Sequence, residues 1–405
     1  MRLLAFLALA TSTSLSAQGT AVPYGTACTP PAVSAFGHAP NPGAGQLLLY
    51  ETNVPAGSVP FVMLGQSATA WGAVPLPFAL GSLGLPSCSL LAEPLVIEAG
   101  TAPAGIAEYA LPVPATPALV ASTWYAQWLN VGDAALGGAL PLTFSQGVAM
   151  TLGNAVGMPG FTQNGDPTAA GGATWSYVAT VDGVTYDLRG KLYKPSTPPA
   201  GGHLNYPAVV ISHGFGGNVN AYSSQVAATL RSFGLVCIMT NLTHAANVPL
   251  GAPGLATEVG ASAANVLRNR KCLDLLQSLG YVDMRRVAAH GHSMGAFATG
   301  ALVGTHPQQF LVASHTAGGM STQAGAAATS LVQAQGIRVP YQMHHGDADT
   351  VVPLALDQQL AAQLAANPTV HQLLVYAGFT HPQIATNAGM LATVRAWYQQ
   401  HGLLP

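Results

Sequence analysis

Charged side chains are scarce in this chain. Only 12 Lys and Arg and 14 Asp and Glu stand among 405 residues, or 6%, against the roughly 25% usual in soluble domains. The net charge is -2, and no basic cluster offers the footprint that nucleic acid requires. Beyond the first ten residues no apolar run is long enough to span a bilayer. Histidine is frequent, at 13, yet it nowhere takes a metal-ligand spacing such as H-E-x-x-H, so neither a metal nor another cofactor is expected. What the chain has in quantity is apolar residues (49%), Gly (46) and Pro (30). That composition implies many turns and a surface that is polar but uncharged. The length exceeds one ordinary hydrophobic core, and two domains are expected.

The chain opens Met1-Arg2, runs through the apolar residues 3–10, and reaches small residues at Ser14, Ser16 and Ala17. This is the pattern of a secretory signal peptide over residues 1–17. The mature protein is therefore expected to be secreted or periplasmic, where disulfides persist. Four cysteines allow three pairings. Cys28 and Cys88 share the N-terminal half and are expected to pair. Cys237, in an apolar strand, and Cys272, in a helical stretch, are either a second bridge or two buried thiols.

Residues 18–155 read as all-β. Short apolar runs at 46–50, 59–64 and 124–129 alternate with Gly, Pro, Ser and Asn turns, and prolines are too frequent for helices. A small antiparallel sandwich is expected. With one histidine, His38, and few acids, this half shows no catalytic constellation. Residues 156–174 read as a linker. From 175 to 405 the texture changes. Strands at 177–181, 185–192, 207–212, 235–240, 287–290, 310–315, 338–344 and 372–376 alternate with helices at 223–233, 263–279, 294–303, 354–366 and 385–401. Such alternation implies βαβ units, hence an α/β fold: a mostly parallel sheet flanked by helices, with the leading hairpin as its antiparallel edge.

Gly291-His292-Ser293-Met294-Gly295 sits where strand 287–290 turns into helix 294–303. In the spacing G-x-S-x-G, a serine on a sharp strand-to-helix turn is held in a strained conformation, and the glycines let backbones pass closely. Its hydroxyl is a poor nucleophile until a base takes its proton, and that base needs a third group to fix its tautomer. In such a strand-turn-helix fold the order runs Ser, acid, His, each at the carboxyl end of a strand, and Ser293, Asp349 and His381 supply nucleophile, acid and base in that order. Asp347 competes with Asp349, but Asp349-x-x-Val352-Pro353 resembles the acid loop of the α/β-hydrolases, a resemblance that implies Asp349 and leaves Asp347 to brace the turn. His381 follows the last strand and precedes the last helix, whereas His371 begins a strand. The Met294 N–H at a helix start and the Phe215 N–H in His213-Gly214-Phe215-Gly216-Gly217 are the expected oxyanion donors. Gly214, Gly216 and His292 are expected to line the substrate site. His290, His344 and His345 read as packing or supporting residues.

Together His213-Gly214-Phe215, the G-x-S-x-G segment, Asp349-Thr350-x-x-Pro353 and Gly378-x-x-His381 resemble the motifs of the α/β-hydrolases over residues 175–405. They look most like the branch holding dienelactone hydrolases, platelet-activating-factor-acetylhydrolase-like esterases and secreted cutinase-like polyester hydrolases. The chain departs from the polyester hydrolases in Ala296-Phe297-Ala298 after the elbow, and in having no tryptophan at residues 314–317. The resemblance implies ester hydrolysis through an acyl-enzyme on Ser293, with a neutral and even polymeric ester as substrate, no nucleic acid, no membrane span, and a monomer. No long cap insertion separates the elbow from the acid, so an open site is expected, with residues 241–262 shaping its pocket. The first half, from Tyr24-Gly25-Thr26-Ala27-Cys28 to Trp124-Tyr125-Ala126-Gln127-Trp128, resembles the accessory β-domain of secreted planctomycete-type proteins. A peptidase or an acyltransferase would use the same triad, and an inactive scaffold that only binds is the rival from another class.

Overall fold

A computed structural model describes residues 20–405 except 29–33, 38–45, 53, 55, 56, 101, 103–106, 114–116, 120, 133–140, 153–157, 159, 182 and 204. The segment read as a signal peptide and His38 lie outside the described residues.

The first half contains two antiparallel sheets. One runs Thr20–Tyr24, Leu142–Thr151, Thr123–Val131, Val59–Gly65, Val96–Ala99; the other runs Ala107–Pro112, Gln46–Thr52, Ser34–Gly37. Strand residues alternate between faces, so Val62, Leu64, Ala126, Trp128, Val148 and Met150 of the first sheet meet Leu49 and Ala107 of the second in one core. The Cys28–Cys88 disulfide forms as expected, among Leu76, Leu80, Leu85 and Leu90.

Among the described residues this half buries two carboxyls, Glu51 and Glu108, and only Glu51 has no cationic partner. Glu51 accepts a hydrogen bond from Asn130 Nδ2 at 2.9 Å. Burial lifts the Glu51 carboxyl from the ordinary 4.5 to about 8, and the Asn130 bond only partly opposes that. The unfolded chain releases this proton above about 4.5, while the folded chain keeps it to about 8. Stability is therefore full below the lower value, falls as pH climbs between the two, and levels off above the higher. Glu51→Gln is expected to remove that slope and to outlast the wild type at pH 8.5. Urea midpoints at pH 5 and pH 8.5 check it; equal slopes in the two proteins would refute it.

The second half is built on a nine-stranded sheet. Its strands are β1 (Phe161–Asn164), β2 (Ala173–Val181), β3 (Val184–Tyr193), β4 (Tyr206–Ser212), β5 (Val236–Thr240), β6 (Val282–His292), β7 (Val312–Thr316), β8 (Tyr341–Gly346) and β9 (His371–Tyr376). The spatial order is β1-β2-β3-β5-β4-β6-β7-β8-β9. The first three strands are antiparallel, and β5 through β9 are parallel. The segment 156–174 is thus not a linker throughout. Phe161 pairs with Tyr177 and Asn164 with Thr174 across β1 and β2, and the Phe161 ring lies 6.2 Å from Trp175. The backbone of β1 satisfies its hydrogen bonds on the sheet edge, so the segment orders despite its turn-rich composition.

Strands β4, β5, β7 and β8 are buried along their whole length, as a sheet covered on both faces requires. Alternate residues divide between two cores. Ala208, Val210 and Ala289 face α2 (Ala263–Ser278), α3 (Met294–Thr305) and α5 (Leu354–Ala366). Val209, Ile211 and Ala288 face α1 (Tyr222–Ser232) and α7 (Ala388–Gln400). Two short helices complete the set, α4 (Leu331–Gly336) and α6 (His381–Ala385). The helix read at 385–401 is α7, and it starts at Ala388 because the Asn387 side chain caps it by accepting from Met390 N–H. Cys237 belongs to the α1/α7 core and Cys272 to the other. The sheet separates them, and both are buried free thiols. Among the described residues no helix is long and apolar enough to cross a membrane.

Candidate active site

Parallel strands point their carboxyl ends to one edge of the sheet, and the loops leaving that edge collect chemistry. Four of them matter here: those after β4, β6, β8 and β9.

The turn after β6 carries Ser293, between the end of β6 at His292 and the start of α3 at Met294. Its backbone angles are φ 59° and ψ -126°, a conformation a residue with a Cβ adopts at a cost. Crowding explains the flanking glycines. A Cβ on Gly291 would lie 2.3 Å from the Gly295 carbonyl oxygen, and one on Gly295 would lie 2.2 Å from the Ser212 carbonyl oxygen. The Ser293 N–H donates to the Thr316 carbonyl at 3.1 Å, which ties the turn to β7.

The loop after β4 passes against the serine. A Cβ on Gly214 would lie 3.2 Å from Ser293 Cβ and 3.4 Å from the His292 carbonyl oxygen. His213 holds this loop from within. Leu242 N–H donates to its Nε2 at 2.9 Å, so Nδ1 carries the proton that goes to the Gly214 carbonyl at 2.9 Å. Burial lowers the His213 ring to about 3, which keeps it neutral in that tautomer. Gly216 N–H is taken by the His244 carbonyl and Gly217 N–H by the Gly214 carbonyl. Neither the Phe215 N–H nor the Met294 N–H takes an acceptor among the described residues. The Phe215 side chain is 69% exposed.

The loops after β8 and β9 meet each other. His381 Nδ1 lies 2.6 Å from Asp349 Oδ2, while Asp349 Oδ1 accepts the N–H groups of Val351 and Val352 at 2.8 and 2.9 Å. Burial alone would raise the Asp349 carboxyl. The hydrogen bonds from His381 and the two amides more than offset it, so it sits below the ordinary carboxylate value. A carboxylate can only accept, so the proton of His381 is on Nδ1 and Nε2 presents a lone pair. Asp347 does brace the turn, accepting from Gly378 N–H at 2.6 Å. The carboxylate that His381 meets is Asp349.

His292 joins the two halves of the site. Its ring lies 4.6 Å from that of His381 and 5.2 Å from that of Tyr222. Its Nδ1 is 2.9 Å from Thr316 Oγ1. Burial first, and then the neighbouring His381, lower it to about 3, so it stays uncharged beside that ring.

Some supporting residues escaped sequence reasoning. Buried Arg268 on α2 donates to the carbonyls of Pro253, Asn241 and Gly251 at 2.8, 2.8 and 3.1 Å and so shapes residues 241–262. Nothing in its spacing separates it from Arg270 and Lys271, which pair with Asp274. Asn269 donates to Ser212 Oγ at 2.9 Å at the end of β4.

A mostly parallel sheet with helices on both faces, an elbow serine after a central strand, and an acid and a histidine on the next loops define an α/β-hydrolase. The chain belongs to the dienelactone hydrolase family, whose model matches residues 188–404. Similar solved structures include an S-formylglutathione hydrolase from Agrobacterium tumefaciens, 16% identical with a TM-score of 0.47 over 60% of this chain and 99% of that one. A cold-adapted esterase from an Arctic intertidal metagenomic library is 18% identical with a TM-score of 0.45 over 60% and 98%. A thermophilic esterase from the planctomycete Thermogutta terrifontis is 17% identical with a TM-score of 0.43 over 56% and 92%. Among curated proteins none matches the chain.

Proposed function

We propose that this protein is an exported carboxylic ester hydrolase working through Ser293, His381 and Asp349. The observation that carries the reading is the 2.6 Å bond of His381 to Asp349, with the same imidazole packed on the residue before a strained serine. His381 Nε2 takes the Ser293 proton as Oγ attacks the ester carbonyl. The oxyanion accepts from the Phe215 and Met294 N–H groups, which are free to serve it. His381 then protonates the leaving alcohol, and water attacks the acyl-enzyme with His381 again as base.

Gly214, Gly216 and His292 surround the reacting carbonyl. Exposed Phe215 and Val351 border it with apolar surface, which suits neutral and bulky esters, polymeric ones included, better than charged substrates. Export follows from the apolar start of the chain and the Cys28–Cys88 bridge.

A fluorophosphonate probe followed by peptide mass spectrometry tests the assignment, alongside a panel of short acyl, aryl and polyester substrates. Labelling at Ser293 with ester turnover is the expected result. No label and no turnover would leave a scaffold that only binds; cleavage of peptides but not esters would make it a peptidase.

A further inference from the structure

Behind Asp349 lies a second carboxylate with two histidines. His345 Nδ1 is 2.7 Å from Asp357 Oδ2, and its Nε2 is 2.9 Å from the Val352 carbonyl and 3.5 Å from Asp349 Oδ2. All three partners are acceptors. A neutral imidazole has one N–H and one lone pair, so either neutral tautomer would aim a lone pair at an oxygen. With Asp357 ionised, only a ring protonated on both nitrogens satisfies both contacts. His315, on the other side of Asp357, differs. Its Nε2 is 2.6 Å from Asp357 Oδ1, and its Nδ1 is 2.9 Å from the Tyr341 hydroxyl, which can donate. A neutral His315 is fully satisfied there. Asp357 also accepts from Gly318 N–H at 3.4 Å. The side chains of His315, His345 and Asp357 have no solvent exposure.

We propose that Asp357 holds His345 as a buried imidazolium, and that this cation positions the Asp349 carboxylate against His381. The inference rests on the catalytic reading of Ser293, His381 and Asp349; His345 and Asp357 are positioning residues within it. Asp349 Oδ2 is shared, with His381 Nδ1 at 2.6 Å and His345 Nε2 at 3.5 Å. A cation on the far side of that oxygen fixes where the Asp349 carboxylate sits, and so where it holds the His381 ring. The other titratable groups around the relay are His315 and Tyr341 behind Asp357, and His381 and His292 across Asp349. Energetics agree with the geometry. Burial would lower the His345 ring, but the hydrogen bond and charge of Asp357 raise it above its ordinary value. Burial would raise Asp357, but the two imidazoles hold it well below the carboxylate range.

Nitrogen NMR of the full chain with labelled histidine tests the charge directly, with His345→Gln assigning the signal. At pH 8 the wild-type His345 ring is expected to show two protonated nitrogens. One protonated and one bare nitrogen would place the proton on Asp357 and overturn the proposal without any variant. Asp357→Asn is then expected to leave His345 singly protonated. The kcat on a neutral p-nitrophenyl ester should fall about tenfold, with KM unchanged. A folded Asp357→Asn enzyme with wild-type kcat overturns the positioning. Failure of the catalytic reading registers separately, as Ser293→Ala that still turns over beside an unaltered His345 spectrum.

Discussion

Ser293→Ala is expected to lower kcat on a short p-nitrophenyl ester by roughly 10^4- to 10^6-fold, because nucleophile, base and acid act as a unit. Residual turnover would come from the Phe215 and Met294 N–H groups, which still polarise a bound carbonyl. The fold should tolerate the change. Alanine inherits the same φ of 59°, so stability is expected to stay within about 1 kcal/mol. Ser293→Gly separates strain from chemistry. It is equally inactive, yet relieves a backbone conformation that costs of order 1 kcal/mol or more for a residue with a Cβ. It should therefore be the most stable of the three proteins in urea. Turnover of Ser293→Ala within tenfold of wild type would end the assignment of the nucleophile, whatever the stabilities.

Gly295→Ala should unfold the elbow from the opposite direction. The added Cβ would fall 2.2 Å from the Ser212 carbonyl oxygen, 2.5 Å from its carbon and 2.6 Å from the His213 carbonyl oxygen. These are backbone atoms at the end of β4, with no side chain that can rotate away. The loss is expected to reach about 3 kcal/mol, the upper end for overpacking. Activity should fall further than stability explains, since relief must push the His213–Gly214–Phe215 backbone away from Ser293. Gly171→Ala is the control. A Cβ there meets nothing within 4 Å, and its stability should stay within about 1 kcal/mol of wild type. Equal urea midpoints for the two variants would show that the crowding at Gly295 relaxes freely.

The strands and helices of the second half were legible because each has a pattern of its own. Strands β4 and β5 are short apolar runs bounded by turn residues, and burial on both faces removes any need for polar alternation. Strand β1 was not legible. Only Phe161 of Phe161–Asn164 is even half-buried, so no apolar period marks it, and its order comes from pairing with β2. Ser293, Asp349 and His381 could be proposed because an α/β-hydrolase fold carries its nucleophile, acid and histidine in that order, each after a strand. Their support could not be. Asp357 reads as one more polar residue on a helix, and only the packing of α5 over β7 and β8 carries it between His315 and His345. Arg268 likewise owes its role to a glycine-rich loop that wraps its guanidinium and has no periodicity to announce it.

Strand β6 carries Ser293 just past one end and a different cluster at the other. Near its beginning Asp283 pairs with Arg285 and Arg286, and Arg285 reaches into the first half to Glu108 at 2.7 Å and over the Tyr50 ring at 3.5 Å. His203 joins from the loop before β4, 2.9 Å from Glu108. Nine residue steps of extended chain from Asp283 to His292 span roughly 30 Å. The grip between the two halves therefore sits at the far rim of the sheet from Ser293. Among the described residues it leaves the Ser293 rim clear, and the ester hydrolysis proposed above then has room for a substrate too long to be enclosed.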